Sequence, residues 1–264
     1  MFTELFRLSS VLISFMGVIG VSSNFTEKVV EAYMRVDDMI FLRPEARSGL
    51  SPEKFRWPNG IIPYTIERNL SIENSDMLHE AMETIEDNTC LEFVPRKKEK
   101  SYLLISHTQK GCYAHVGFMN RGKQKLNLGK GCWKFATVLH ELIHSIGFSH
   151  EHQRNDREQF VTIRYENMKP EKKQNFKLDK EMGMNFEFDY FGLPYNYASI
   201  MHYGRTAFSN NGKSTIIPRR VWDIEDYALY DEVDEHERPI IGLNDALTWG
   251  DITMINRMYE DECW

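Results

Sequence analysis

Phe135-Ala-Thr-Val-Leu-His140-Glu141-Leu-Ile-His144-Ser-Ile-Gly147-Phe-Ser-His150 decides how this chain is read. The run from Phe135 is densely apolar at helical spacing, as a central helix requires, and Gly147 supplies its stop because glycine reaches positive φ at little cost. His140 and His144 stand four residues apart and so share one helix face, with Glu141 beside them. Once Gly147 turns the chain back, His150 can approach the same point. Three neutral imidazoles leave an open position on a zinc ion, and a neighbouring carboxylate can handle the proton of a water placed there. A packed helix carrying incidental histidines leaves this order of residues unexplained.

Outward from that helix the pattern is mixed. Towards the N-terminus, Gly60–Arg68 has β composition with Pro63 suggesting an edge or an early strand position, and Ser75 is the expected N-cap of an amphipathic helix reaching Asn88, with Leu78, Ala81, Met82 and Ile85 inward. Leu91–Pro95, residues 102–106, residues 112–119 and the stretch after Gly122 are strand candidates. Residues 156–237 are rich in turns, aromatics and charge. A last helix is announced by a Thr248/Asp251 capping box, with Ile252, Ile255 and Tyr259 as its inner face. The expectation is an α+β domain: a twisted mixed sheet with a long helix, followed by an irregular second half that ends in a helix.

The 264 residues carry a net charge of −7, which gives no support to nucleic-acid binding, a function that normally needs a basic face. Residues 8–21 form an uncharged, mostly apolar stretch too short to span a bilayer comfortably, read as a secretory signal within residues 1–22. Residues 27–47 end in a basic, Pro- and Gly-containing linker, equally consistent with a cleavable pro-segment and with a flexible arm. Secretion turns the four cysteines into a disulfide question with three possible pairings. Asn24 and Asn69 head glycosylation sequons.

The run His140-Glu-Leu-Ile-His144-Ser-Ile-Gly147-Phe-Ser-His150-Glu151-His-Gln-Arg154-Asn-Asp156-Arg157 resembles the long zinc signature of the astacin family of metzincin metalloproteases at every fixed position, and Ser199-Ile-Met201-His202-Tyr203 resembles its Met-turn. The resemblance implies a secreted endopeptidase with one zinc per chain, held by His140, His144 and His150. Tyr203 would be a fifth ligand in the resting enzyme and a donor to the transition state. Met201 would be the floor under the metal, and Glu151 would meet the new N-terminus after activation. It also implies disulfides Cys90–Cys263 and Cys112–Cys132. Cys112-Tyr113-Ala114-His115-Val116-Gly117 resembles the strand along which an extended polypeptide substrate lies, although Tyr113 and His115 stand where tryptophan and tyrosine are common.

Arg35-Val-Asp37-Asp38 resembles the zymogen element whose aspartate reaches zinc, which makes Asp38 the expected ligand of a latent form. The family glycine is replaced by Asp37, which restricts the backbone if positive φ is needed. Arg47-Ser48 is the expected maturation bond for an activating protease, dividing a pro-segment at 23–47 from a catalytic domain at 48–264. The expected product is a monomeric, extracellular protein with no transmembrane span after signal removal. Asp223–Glu237, with eight acidic residues and no Lys or Arg, is read as a solvated loop. The competing function is a secreted binding protein on the same scaffold with weak or no activity, which the intact His140, Glu141, His144, His150 and Tyr203 count against.

Overall fold

The computed structural model describes residues 33–42, 55–182, 189–220, 234, 236, 238–242 and 245–263, all within one compact unit. The expected signal, Asn24, the Arg47-Ser48 bond and most of the acidic stretch lie outside the described residues. The elements run β1 (Tyr33–Val36), β2 (Met39–Leu42), β3 (Ile61–Ile66), α1 (Ile72–Asn88), β4 (Glu92–Pro95), β5 (Tyr102–Ser106), β6 (Cys112–His115), β7 (Lys123–Leu128), α2 (Phe135–Ile146), β8 (Val161–Ile163), β9 (Ile216–Pro218), α3 (Trp249–Met258) and α4 (Glu260–Cys263). Short 3-10 turns fill much of the interval between α2 and β9.

Seven strands form one sheet in the order β1-β2-β6-β7-β5-β3-β4, and β8 pairs with β9 in a second, two-stranded one. Within the large sheet β3 runs parallel to β4 and β5, β5 to β7, and β6 returns antiparallel to β7. The β1–β2 hairpin extends the sheet past β6, with β2 parallel to β6 in the register Met39↔Ala114 and Ile40↔His115. Mixed sheet, central helices and irregular second half make this an α+β architecture.

The main core lies between the sheet and the two long helices. Leu78, Ala81, Met82 and Ile85 of α1 and Val138, Leu139, Leu142, Ile143 and Ile146 of α2 are buried against Ile62, Leu103, Ile105, Leu126 and Leu128. Each fully buried aliphatic side chain of this kind contributes about 1.5–3 kcal/mol. Trp57 fixes the start of the domain to α2, its Nε1 donating to the Ser145 carbonyl at 2.9 Å. Cys90 is bonded to Cys263 and Cys112 to Cys132, so the first bridge ties the end of α1 to α4 and the second closes the segment from β6 to the approach of α2.

Three local expectations change. α1 starts at Ile72 with Ser71 as its cap, whose Oγ accepts the Asn74 N–H, and not at Ser75. Ile72 is 81% exposed, so the first turn carries no apolar face to announce it. β6 stops at His115, because Gly117 turns with φ +64 and its N–H donates to the His144 carbonyl at 3.1 Å. A Cβ at Gly117 would meet the Phe55 carbonyl oxygen at 2.8 Å, so the turn is built on glycine. In α3 the capping box forms as expected, but the buried set is Asp251 and Ile255, with Tyr259 just beyond, while Ile252 is half-buried.

Candidate metal centre

His140 and His144 project from consecutive turns of α2, which ends on Gly147 at φ 125. At that φ the turn needs glycine for its conformation, while the Met258 methyl group packs against the open side of Gly147. The reversal delivers His150. Every Nδ1 is engaged behind the centre: His140 donates to the Ile200 carbonyl at 2.9 Å, His144 to the Phe148 carbonyl at 2.7 Å, and His150 to Gln153 Oε1 at 3.1 Å. Those bonds fix one tautomer on each ring and leave each Nε2 lone pair aimed inward.

Asp38, in the two-residue turn between β1 and β2, supplies a fourth donor. Its Oδ2 lies 3.5 Å from His140 Nε2, and its Oδ1 lies 3.5 Å from His144 Nε2 and 3.2 Å from His150 Nε2. One ligand atom from each of the four residues falls within 4.8 Å of the others. Nε2 of His144 and of His150 and Oδ1 of Asp38 are buried without a hydrogen-bond partner, a costly state for polar atoms unless a cation joins them. Three imidazole nitrogens and one carboxylate oxygen are a donor set that suits zinc. The residues present therefore fit such an ion.

Glu141 is buried beside this group, and its Oε2 has no partner. Burial, then the carboxylates of Asp38 and Asp37, push its pKa well above the usual range, while Arg35 pulls the other way. Tyr203 does not meet the ring nitrogens through a hydrogen bond; its hydroxyl donates to Asp37 Oδ2. Its ring stacks on His152 with centroids 4.0 Å apart and lies 4.5 Å from His150. Asp37 adopts φ 55, so an aspartate does take up the left-handed conformation that glycine would hold more easily.

Met201 is buried, and its turn is wired to the metal helix and to α3. The Met201 carbonyl accepts the Glu151 N–H at 3.0 Å, Ser199 Oγ donates to Asp251 Oδ1 at 2.6 Å, and Ile200 holds His140 from behind. Glu151 Oε1 accepts Arg154 Nη1 at 3.1 Å and the Asn196 N–H at 2.7 Å. Burial pushes the Glu151 carboxyl up to about 7 against the pull of Arg154. Glu151, Asp251, Ser199 and Met201 line a small enclosed cavity with Ile143 and Ile255. Asn196 Nδ2 donates to Thr248 Oγ1 at 2.7 Å, so the amide ties this turn to the cap of α3.

On β6 the Ala114 N–H donates to the Asp38 carbonyl at 2.8 Å and the Val116 N–H to the Ile40 carbonyl at 2.9 Å, so the hairpin covers the edge expected to take substrate. Tyr113 is buried with its hydroxyl on Gln109, and His115 Nδ1 contacts the Lys125 backbone. Asn69 is exposed at φ 67. Three participants were not picked out from sequence: Gln153, Lys172 and Asp37 as the partner of Tyr203. The three-residue spacing from His150 is a usable signal for Gln153, whereas nothing distinguishes Lys172 among the neighbouring lysines.

The astacin peptidase family model matches residues 50–260. Low choriolytic enzyme of Oryzias latipes is 33% identical over 253 residues, covering 92% of this chain and 82% of that protein. Tolloid-like protein 2 of Mus musculus is 37% identical over 240 residues, covering 90% of this chain but only 21% of its own length, so the chain spans about a fifth of that relative. Among solved structures, high choriolytic enzyme 1, a hatching enzyme zinc-protease from Oryzias latipes, superposes with a TM-score of 0.64 at 32% identity over 78% of this chain and 92% of that one.

Proposed function

The chain belongs to the astacin family, and from that footing we propose that it is a secreted zinc endopeptidase made as a latent precursor. The observation that carries the reading is the convergence of three backed-up histidine Nε2 atoms and the Asp38 carboxylate beside a buried, unpartnered Glu141. His140, His144 and His150 would hold the ion in the active form, and Asp38 would be the additional ligand of the precursor. When bound, zinc supplies Lewis acidity to the scissile carbonyl and to a water.

The chain's own groups do the rest. Glu141 takes the proton from the attacking water and returns it to the leaving amine, work that suits a carboxyl whose pKa burial raises above the ordinary range. Tyr203, once free of Asp37, donates its hydroxyl to the oxygen that gains charge during addition, a contact made mainly in the transition state. With the hairpin gone, the N–H groups of Ala114 and Val116 are free to pair with an extended polypeptide, so binding is through the main chain with side chains alternating into the cleft. Cleavage at Arg47-Ser48 by an activating protease would free the α-amine of Ser48 to dock at the cavity beside Glu151. The two disulfides fit an oxidising, extracellular setting, and among the described residues no helix is long and apolar enough to cross a membrane.

The test is direct. The chain cleaved at Arg47-Ser48 should hydrolyse a mixed peptide library, lose that activity to a chelator and regain it with zinc. Absence of any cleavage by zinc-replete, correctly cleaved protein would defeat the reading.

A further inference from the structure

Asp37 and Asp38 are neighbours in one two-residue turn, yet their carboxylates go to separate partners. Asp38 meets the histidines. Asp37 turns to the other wall of the cleft, where its Oδ2 accepts the Tyr203 hydroxyl and its Oδ1 lies 3.4 Å from Lys172 Nζ. The same residue's carbonyl accepts Arg35 Nε at 2.6 Å, which braces the turn from inside the hairpin.

The receiving groups also have contacts of their own outside the hairpin. Lys172 sits in the 3-10 segment Pro170–Phe176, with Nζ 4.7 Å from the Phe208 ring centroid. The Tyr203 ring lies between His152, stacked at 4.0 Å, and Phe208, edge-on at 5.6 Å. A hydroxyl and an ammonium so placed make a ready site for a carboxylate. The other side of the hairpin is held by the β2–β6 ladder and by packing of Val36, Met39 and Phe41 with Val116 and Met182. The hairpin thus bridges the two halves of the cleft, and Asp37 is its polar anchor on the half that carries Tyr203.

We propose that Asp37 is a second latch of the precursor, acting on Tyr203 and Lys172 and needing no metal, so that latency rests on two adjacent carboxylates with separate tasks. This rests on the reading of the chain as a latent protease. Asp38 occupies the metal centre, while Asp37 holds the tyrosine hydroxyl away from the position it needs in the transition state. Asp37 stands at positive φ, which glycine adopts without strain, so Asp37→Gly removes the carboxylate without adding backbone strain to the closed hairpin.

Hydrogen exchange of the Ala114 and Val116 amides reports opening of the hairpin and needs no catalysis. The protein is the full-length chain with Arg43→Ala and Arg47→Ala to keep it uncleaved, measured zinc-loaded and after chelation. Asp37→Gly should speed exchange at both amides about tenfold in both metal states, as loss of a hydrogen-bonded charge pair would. Lys172→Gln, which leaves the hairpin sequence intact, should speed it about threefold, and the double variant should exchange no faster than Asp37→Gly alone. Exchange in Asp37→Gly within twofold of the parent, or an increase that disappears once metal is removed, would overturn the second latch. An inactive cleaved enzyme would instead defeat the protease reading and leave these exchange rates unaffected.

Discussion

Oδ1 of Asp38 lies 3.2 Å from Nε2 of His150, although one residue belongs to the N-terminal hairpin and the other to the reversal after the metal helix. Burial disfavours the Asp38 charge, but the three imidazoles around it, His150 foremost, outweigh burial and hold the carboxyl well below its ordinary pKa. An ionised carboxylate in this position is what an inhibitory ligand must be.

Asp38→Ala in the uncleaved chain should therefore raise peptidase activity above the parent's before any maturation but leave it well short of the cleaved enzyme's, since the metal position is freed while Asp37 still holds Tyr203 and the ladder between β2 and β6 remains. Activity should be assayed on protein shown intact by mass spectrometry. A variant as silent as the parent would mean that coverage of β6 by the hairpin is sufficient for latency.

Glu141→Gln in the cleaved enzyme should retain zinc but lose about 10²–10⁴-fold in kcat, because the amide keeps the shape and cannot accept the proton. Steady-state kinetics with matched metal content decide this. Activity within threefold of the parent would remove Glu141 from the role of base.

Part of this site is legible in the sequence because it is local. The spacing of His140, Glu141 and His144, the stop at Gly147 and the capping box of Thr248 and Asp251 are all properties of a single turn or helix, and each appears where the periodicity put it. The parts that are not legible depend on distant partners or on cues that sequence leaves ambiguous. Ser71 and Ser75 are both serines, and only the exposed Ile72 between them hides the earlier cap. The end of β6 follows from a close approach of Gly117 to Phe55. The pairing of Asp37 with Tyr203 joins segments that no periodicity connects.

Asp179 should impose a pH dependence on stability. It is 1% exposed, and burial pushes its carboxyl up from 3.8 to about 8, despite donation from Tyr190 at 3.0 Å and Ser149 at 3.3 Å. A raised folded-state pKa means that the native protein holds this proton more tightly. The contribution is fully present below about pH 4 and is lost as pH rises through about 8, with a slope of at most about 1.4 kcal/mol per pH unit. Urea unfolding of Asp179→Asn between those limits should show a flatter profile than the parent. Parallel profiles would contradict a neutral, buried Asp179.

Removing the Cys112–Cys132 bridge with paired serines should lower stability by about 3 kcal/mol, the loop-closure value for a span of this size, 20 residues. The bridge borders β6, so KM for extended peptides should rise more than kcat falls. Unchanged unfolding midpoints would show that the surrounding sheet already restrains this segment.

The central claim is that His140, His144 and His150 hold one catalytic zinc. Metal analysis of the cleaved, zinc-replete chain tests it most directly, with His144→Ala as the paired control because His144 is fully buried and its ring is braced on the Phe148 carbonyl. The account predicts about one zinc per chain in the parent, from three nitrogen donors that complete a site only together, and loss of most of it in the variant. Less than about a fifth of an equivalent in the parent, or equal zinc in parent and variant, would contradict it.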